Sequence, residues 1–209
     1  MKSIAAYVEI LALDDGILQR IERFGRVCYK SEKTITEDSA IGFVQRIIQN
    51  GHESVLEHGH VSVRFVCDRG ITHEIVRHRL ASYSQESTRY ANYADNRFGR
   101  EITVIKPCFW QEDSEAYAIW LSAMQRAEEA YLALIDGGAK AEEARSVLPN
   151  SLKTELIATA NLREWRHILA LRCAKRAHPQ MREIMLSLLE KLHKRIPVIF
   201  DDLAASYLQ

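Results

Sequence analysis

The segment RHRLASYSQESTRY, residues 77–90, combines three arginines and one histidine with hydroxyl and amide side chains and contains only two aliphatic residues. Residues 71–76 before it are compatible with a helix, in which successive side chains point about 100° apart. Arg77 and Arg79 should therefore leave opposite sides of the last helical turn. The hydroxyl and amide residues after Arg79 favour turn-forming backbone, because their side chains bond neighbouring amides. The segment predicts a helix end that runs into an anion-binding loop.

The alternative is that this charged run is a solvated surface, which is the more frequent interpretation of any single arginine or histidine. The order of the residues argues for a site instead. The pattern R-H-R-x-x-S-x-x-x-x-S-x-R-Y, which starts at Arg77 and ends at Tyr90, resembles the signature of the flavin-dependent thymidylate synthases. A pattern of this length is rarely met by chance.

Composition restricts the classes of function. The chain has 209 residues, a size near that of one domain, and its 28 basic residues balance 28 acidic ones. There is thus no global positive field of the kind that sequence-independent nucleic-acid binding requires. No apolar run approaches the roughly 20 residues of a membrane helix, and Met1-Lys2-Ser3 does not open a signal peptide. We expect a cytoplasmic protein with neither nucleic acid nor membrane as a partner.

Apolar periodicity places the predicted elements. The predicted strands are 4–13, 61–67, 102–105 and 151–160, and the predicted helices begin near residues 14, 38, 71, 113, 141 and 161, with two more at the end. The four cysteines lack C-x-x-C spacing, which predicts reduced thiols in packed positions at Cys28, Cys67, Cys108 and Cys173. We expect an α+β fold, a single domain over residues 1–209 with a central, mostly antiparallel sheet flanked by helices.

Three histidines lie close together in HESVLEHGH, residues 52–60. A zinc site built on His52, His58 and His60 would need all three imidazoles to converge, which their positions do not favour. The run also resembles a G-H-E-[ST]-x-x-E-H segment of the flavin-dependent family. That resemblance implies that His52 lies in the vicinity of the folate and NADPH, that Ser54 lies at the flavin phosphates, and that no metal is bound.

The helix predicted to start near residue 161 carries an arginine on its apolar stripe. Trp165, Ile168, Leu169 and Arg172 stand at i, i+3, i+4 and i+7. Because an arginine cannot lose its proton to escape burial, Arg172 needs either a carboxylate or a ligand as its partner. A core arginine that pairs with an internal glutamate is the structural alternative. On the neighbouring face, Arg163 and His167 are separated by four residues and could bind one ligand together.

The resemblance covers roughly residues 51–182 and assigns roles residue by residue. It implies FAD contacts at Ser54, Arg77, His78, Arg79, Gln85, Asn161, Arg163 and His167. It implies dUMP contacts at Glu74, Arg77, Gln85, Glu86, Ser87, Thr88, Arg89, Arg145 and Arg172. The departures from the family pattern are Glu74 for the usual Gln, Ser84-Gln85 for the frequent Asn-Glu, and His167 for an Asn in some relatives.

The family's reaction is also implied by the resemblance. It is the reductive methylation of dUMP to dTMP, with methylenetetrahydrofolate as carbon donor, NADPH as reductant of the FAD, and no enzymic nucleophile. Arg172 would polarise the uracil ring, and family members are homotetramers with shared active sites. Two other functions stay open on the residues alone, a zinc hydrolase and a non-catalytic nucleotide or RNA binder.

Overall fold

The computed structural model of the protein describes residues 1–208. Its fold is α+β, as the sequence predicts. The strands are β1 (Lys2–Ile4), β2 (Tyr7–Leu13), β3 (His60–Asp68), β4 (Ala81–Gln85), β5 (Thr103–Ile105) and β6 (Lys153–Asn161). The helices are α1 (Ile17–Val27), α2 (Ser39–Gln49), α3 (Arg69–Ile75), α4 (Glu115–Asp136), α5 (Ala141–Ala144), α6 (Leu162–Arg172), α7 (Pro179–Arg195) and α8 (Pro197–Tyr207). Within these residues, no helix combines the length and apolarity that crossing a bilayer requires.

The strands form two sheets in the described part of the chain. β1 and β5 pair in parallel, and a four-stranded sheet has the order β2-β3-β6-β4. Ser62 Oγ in β3 lies 2.8 Å from Thr159 Oγ1 in β6. Just beyond the other end of β3, the backbone N–H of Arg69 donates to Leu152 O at 3.1 Å. The partner number falls as the β3 number rises, so this central pair is antiparallel, as predicted.

Helix ends follow local sequence signals. Asp68, Ser114 and Asn161 each precede a helix and accept a backbone N–H of its first turn through the side chain. α2 ends before Asn50, and the following Gly51 has a φ of +70°, which glycine adopts without strain. α7 and α8 both begin with proline, whose missing N–H is not needed in a first turn. These signals place several helix boundaries close to their predicted positions.

The chain divides into two compact units. The first comprises Met1–Tyr7, Phe65–Arg77 and Ser84–Leu156. Its core surrounds α4, where Trp120, Met124 and Tyr131 are buried in one cluster with Ile102 and Leu152. The spacing of the three α4 residues is that of a single helical stripe. The long helix predicted from residue 113 is therefore a core element.

The second unit comprises Val8–Arg64, His78–Tyr83 and the chain from Ile157 onward. Trp165 of α6 is fully buried, and its indole Nε1 donates to Val61 O at 3.0 Å. Leu188 of α7 and Phe200 of α8 are also fully buried. α6 thus packs inside its unit, which fixes the directions of its remaining side chains. The single domain expected over residues 1–209 stays a prediction.

One local prediction was wrong in the signature segment. Residues predicted to form a turn-rich loop after Arg79 form the strand β4. Ala81, Tyr83 and Gln85 are half-buried, whereas Ser82 and Ser84 are exposed. This is the period-two pattern of a strand at the edge of its sheet. Strand pairing outweighs the turn preference of the serines, because a hydroxyl on the exposed face does not compete with ladder hydrogen bonds.

Two further local predictions need correction. Cys67 and Cys173 are buried as expected, but Cys28 and Cys108 are exposed. Cys28 ends α1 on its outer side, and Cys108 follows a proline outside β5, so neighbouring apolar residues in sequence did not imply packing in space. The single strand predicted over residues 4–13 is two strands, β1 and β2, which belong to different sheets.

A substitution at Gly59 tests how tightly the second unit is packed around this residue. A Cβ atom at Gly59 would lie 2.7 Å from Leu162 Cδ1 and 2.9 Å from two atoms of Ile17. Gly59→Ala should lower the free energy of unfolding by about 1–3 kcal/mol, because these side chains must leave their rotamers. Urea denaturation followed by circular dichroism measures the change.

Gly42→Ala is the matched control, because Gly42 lies inside α2 and a Cβ there would only approach Arg46 Nη1 at 3.8 Å. It should raise stability by about 0.5–1 kcal/mol through helix propensity. Equal destabilisation by the two substitutions would contradict the packing argument.

Candidate functional site

The last residue of α6, Arg172, is bonded to the histidine of the signature segment. Arg172 Nε donates a hydrogen bond to His78 Nε2 at 3.0 Å. An arginine has no acceptor, so the Nε2 atom of His78 must carry a lone pair, and the proton of the neutral imidazole lies on Nδ1. Burial, with further contributions from Arg172 and His167, lowers the pKa of His78 to about 4. A neutral imidazole is therefore one partner of the half-buried arginine.

A carboxylate lies on the other side of this imidazole. Glu164 Oε1 is 3.8 Å from His78 Nδ1, and both side chains are buried. Glu164 stands in the first turn of α6, which Asn161 caps by accepting the Glu164 backbone N–H at 2.8 Å. Burial raises the pKa of Glu164, and nearby His167 opposes that change. The positive end of the helix dipole also favours the ionised carboxylate at this position.

Tyr83 of β4 fixes the backbone of the same histidine. Its hydroxyl donates to His78 O at 2.7 Å. Burial, assisted by Glu164, raises the pKa of Tyr83 to about 12, so the phenol keeps its proton at neutral pH. The histidine is thus held by its ring and by its main chain.

His78, Glu164 and His167 also meet a geometric condition for binding a metal, since one possible ligand atom from each lies within 4.8 Å of the others. A histidine ligand must offer a lone pair. In His78 the Nε2 lone pair accepts from Arg172, and Nδ1 carries the proton. A cation would also lie beside the Arg172 guanidinium. The hydrogen-bond pattern therefore favours an arginine-holding role for this group.

The zinc alternative placed on residues 52–60 gains no geometric support. The ring of His58 packs edge-on against Phe24, with centroids 4.9 Å apart. His60 is exposed at the start of β3. His52 instead lines a cavity of about 320 Å³ together with Ser54 and Arg163. The metal-free site stays a prediction.

A larger cavity of about 680 Å³ adjoins α6 within the second unit. This volume lies in the range of small-molecule sites. Its lining includes the predicted flavin ligands Asn161, Arg163 and His167, the apolar residues Leu80, Ala170 and Leu203, and the charged residues Glu53, Glu57, Glu164 and Arg166. Residues of α6 thus form most of one wall.

The two arginines in this wall, Arg163 and Arg166, differ in how easily a ligand could replace their carboxylate partners. Arg163 Nη1 pairs with Glu57 at 2.6 Å, but both side chains are about half exposed. Such a pair contributes little to stability, so an anionic ligand could replace the carboxylate. Arg166, in contrast, is buried and bonds both oxygens of Asp202 at 2.8 Å and Glu53 at 3.2 Å. Arg163 is a ligand candidate, whereas Arg166 is a structural anchor.

Several nucleotide candidates lie in the first unit and already have internal partners. Gln85 Nε2 donates to Thr72 Oγ1 at 2.9 Å. Glu86 accepts from the Tyr93 hydroxyl at 2.9 Å and from Lys153 Nζ at 3.0 Å. These bonds fix the end of the signature segment. The direct nucleotide contacts predicted for Gln85 and Glu86 stay predictions.

The remaining candidates differ in exposure. Thr88 is buried, Glu74 and Ser87 are half-buried, and Arg77, Arg79, Arg89 and Arg145 are exposed. Arg89 Nε lies 3.7 Å from Glu142, and both side chains are about half exposed. Sequence reasoning missed Glu164 and Arg166, because neither lies on the apolar stripe of α6. A charged residue beside a stripe is usually solvated, so periodicity gave no signal for them.

In this α+β fold, arginines and a histidine line a cavity of the size of a small-molecule site, an arrangement typical of enzymes. The comparisons with known proteins identify the family. A family model described as "Thymidylate synthase complementing protein" matches residues 9–198. The chain is 36% identical over 184 residues to the flavin-dependent thymidylate synthase of Geobacter sulfurreducens, which covers 85% of this chain and 78% of the relative. The chain therefore belongs to the flavin-dependent thymidylate synthase family of enzymes, as the signature predicts.

Other comparisons agree with this result. The flavin-dependent thymidylate synthase of Pyrococcus furiosus is 36% identical over 176 residues, or 84% of this chain and 71% of the relative. A crystal structure of the UMP/dUMP methylase PolB from Streptomyces cacaoi, bound with 5-Br dUMP, has a TM-score of 0.79. It is 23% identical and covers 98% of this chain and 97% of its own. This likeness shows the fold.

The neutral state of His78 predicts a pH dependence of stability. An unfolded histidine binds a proton below about pH 6.5, but folded His78 does so only below about pH 4. The unfolded state binds more protons between these values, so stability falls as the pH drops from 6.5 to 4. The slope from one proton is at most about 1.4 kcal/mol per pH unit.

Urea denaturation of the ligand-free protein between pH 4 and 7 measures this slope. His78→Gln should flatten it, because glutamine does not titrate. His60→Gln, at an exposed position, is the matched control. An unchanged slope in the His78→Gln protein would show that the imidazole is already protonated, or is solvated, in the folded state.

Proposed function

We propose that this chain converts dUMP to dTMP by reductive methylation, with methylenetetrahydrofolate as carbon donor and NADPH as reductant of a bound FAD. The observation that carries the proposal is the placement of Arg172, held by a buried neutral His78 on a helix that lines a ligand-sized cavity. The name of the curated relatives and the nucleotide in the PolB crystal structure support this assignment.

The residues of the second unit fit a flavin dinucleotide. Both cavities contain hydrogen-bond donors, and Arg163 lines both of them. Arg163 can exchange its exposed partner Glu57 for a phosphate, and His167 can donate to the same anion. Leu80 and Ala170 provide apolar wall for a ring system. When bound, FAD supplies the transfer of hydride and of the one-carbon unit.

The proposed ligand roles follow from the cavity or chain segment in which each residue lies. Arg163 and His167 of α6 bind FAD together with Asn161, the residue that caps this helix. Ser54 binds it from the second cavity, and Arg77, Arg79 and Gln85 add contacts from the signature segment. His52, which lines the smaller cavity, stands in the vicinity of folate and NADPH. His78 supports the FAD site while its ring holds Arg172. The protein thus binds and orients its ligands through charge and hydrogen bonds.

Arg172 has the central chemical role. Carbon 5 of uracil is a weak nucleophile, and without covalent attack at carbon 6 it must be enriched by polarising the ring so that N3 and O4 carry negative charge. A guanidinium presents a planar set of donors that can stabilise charge on two adjacent ring atoms. Donors aimed at developing charge, in a site that excludes water, contribute about 3 to 4 kcal/mol to the transition state. Arg172 therefore polarises the ring.

No enzymic nucleophile is part of the proposal. Burial raises the pKa of the Cys173 thiol to about 12 and also raises that of Cys67, so neither is a thiolate at neutral pH. Ser82 and Ser84 are exposed on β4, where a serine hydroxyl without an aligned base stays unreactive. Charge stabilisation by Arg172 replaces covalent attack on the ring.

The other dUMP contacts are proposed for Glu74, Arg77, Gln85, Glu86, Ser87, Thr88, Arg89 and Arg145. Glu86 accepts from Tyr93 and Lys153, so its carboxylate is already oriented before a nucleotide binds. The proposed nucleotide and flavin residues lie in both compact units. We propose that the active protein is a cytoplasmic homotetramer whose sites combine residues of several subunits.

Absorbance and product analysis test this function. Protein purified with FAD should show a flavin spectrum that NADPH bleaches, and it should form dTMP from dUMP only when methylenetetrahydrofolate is present. Arg172→Lys and Arg172→Ala should bind FAD and allow its reduction, but they should form dTMP about 10²–10³-fold more slowly. Lysine should not rescue the rate, since its single ammonium cannot address two ring atoms.

Arg176→Ala is the matched control, because Arg176 is exposed just after α6. Two results would contradict the proposal. A colourless protein with stoichiometric zinc would indicate a hydrolase. An Arg172→Ala protein that is less stable but fully active per folded molecule would reduce Arg172 to a structural residue.

A further inference from the structure

We infer that Glu164 is a positioning residue for the reaction, which acts on Arg172 through the imidazole of His78. This inference rests on the proposed role of Arg172. The imidazole of His78 contacts two charged groups through its two nitrogens: the Glu164 carboxylate lies 3.8 Å from Nδ1, and Arg172 Nε lies 3.0 Å from Nε2. Nδ1 thus faces a hydrogen-bond acceptor, the carboxylate, whereas Nε2 faces a hydrogen-bond donor, the guanidinium.

The tautomer of His78 decides whether the imidazole can accept the hydrogen bond of Arg172 Nε. Only the tautomer with the proton on Nδ1 leaves a lone pair on Nε2 for the Arg172 Nε–H. The other tautomer would direct an N–H at the guanidinium, and two donors would then face each other. The two N–H donors would repel each other, and the guanidinium would turn away from its present orientation.

Glu164 selects the productive tautomer by electrostatics. Its distance of 3.8 Å from Nδ1 exceeds a hydrogen bond, but opposite partial charges still interact strongly at this distance in a buried site. The carboxylate stabilises a proton on the nearer nitrogen. The negative charge of Glu164 also partly offsets the positive charge of Arg172, which lies at the other end of the imidazole ring. A histidine ordered by a carboxylate is a recurring arrangement in catalytic sites.

The local sequence explains why Glu164 is available for this role. Asn161 accepts the Glu164 backbone N–H and closes the first turn of α6, so the glutamate is fixed three residues after the cap. Its neighbours Trp165 and Arg166 are buried against Val61 and against Asp202. The helix therefore cannot rotate, and the carboxylate is presented to His78. The same helix ends at Arg172. Glu164 and Arg172, the two ends of what we call the Glu164–His78–Arg172 relay, therefore belong to one rigid element.

Glu164→Leu and Glu164→Gln test the inference by kinetics. Leucine removes both charge and acceptor, whereas the glutamine amide oxygen keeps an acceptor at the same place. With FAD bound, Glu164→Leu should reduce kcat for dTMP formation about 10- to 100-fold, because small errors in orientation at a reacting group have effects of this size. The rate of flavin reduction by NADPH and the KM for NADPH should stay unchanged. Glu164→Gln removes the charge and keeps only the partial negative charge of the amide oxygen, so its kcat should fall between those of Glu164→Leu and the wild type.

A second measurement does not depend on catalysis. In ¹⁵N-labelled, ligand-free protein, the Arg172 Nε–H resonance is assigned by its loss in Arg172→Lys. It should exchange slowly with solvent in the wild type, rapidly in Glu164→Leu, and at an intermediate rate in Glu164→Gln. Glu190→Leu removes an exposed carboxylate that pairs with Lys194 on α7 and should change neither readout.

The outcomes separate the two proposals. Slow exchange that is lost in Glu164→Leu and kept in Glu190→Leu supports the relay even if no dTMP is formed, in which case the proposed function alone fails. If Glu164→Leu keeps slow exchange and full kcat per folded molecule, the relay is overturned. The relay is also overturned if Glu164→Leu lowers the melting temperature and all activities in proportion to the folded fraction, which indicates a structural carboxylate.

Discussion

The hydrogen bond from Arg172 Nε to His78 Nε2 is the constraint to which the rest of the candidate site conforms. An arginine remains charged in any protein environment, so its partner must supply a lone pair. His78 supplies this lone pair at Nε2, and burial keeps the imidazole neutral by lowering the pKa of His78 to about 4. The hydrogen bond therefore fixes the direction of the guanidinium through its Nε atom.

One face of α6 packs in the core of the second unit, and the other face carries residues of the candidate site. Trp165 anchors its inner face, and Arg166 bonds Asp202 of α8 and Glu53 of the segment that carries His52 and Ser54. The Arg166 guanidinium is buried and cannot lose its charge, so it depends on these carboxylates, although solvent screens the more exposed Asp202. The outer residues Asn161, Arg163 and His167 line the larger cavity. Rigid packing on one side of the helix therefore fixes the directions of ligand-binding side chains on the other.

Sequence reasoning found the elements and the family but not the partners. The apolar stripe of α6 correctly placed Trp165, Ile168 and Leu169 in the core, and the requirement for a partner at Arg172 followed from chemistry. The expected partner was a carboxylate or a ligand. One observed partner is His78, separated by 94 positions, and periodicity contains no information about such contacts. β4 was missed for a related reason, since its pairing with β6 outweighs the local preference of serine for turns. Glu164 and Arg166 were missed because a charged residue beside an apolar stripe is usually solvated.

The protonation state of His78 is the point on which this account depends most directly. Long-range ¹H–¹⁵N correlation spectra of protein labelled with ¹⁵N-histidine report the state of each ring nitrogen, and His78→Gln assigns the signals by difference. The account predicts that, from pH 5.5 to 8, His78 has a proton on Nδ1 and a bare Nε2 nitrogen. A His78 imidazolium at pH 7, or a neutral ring with its proton on Nε2, would contradict it, because neither form can accept the Arg172 hydrogen bond.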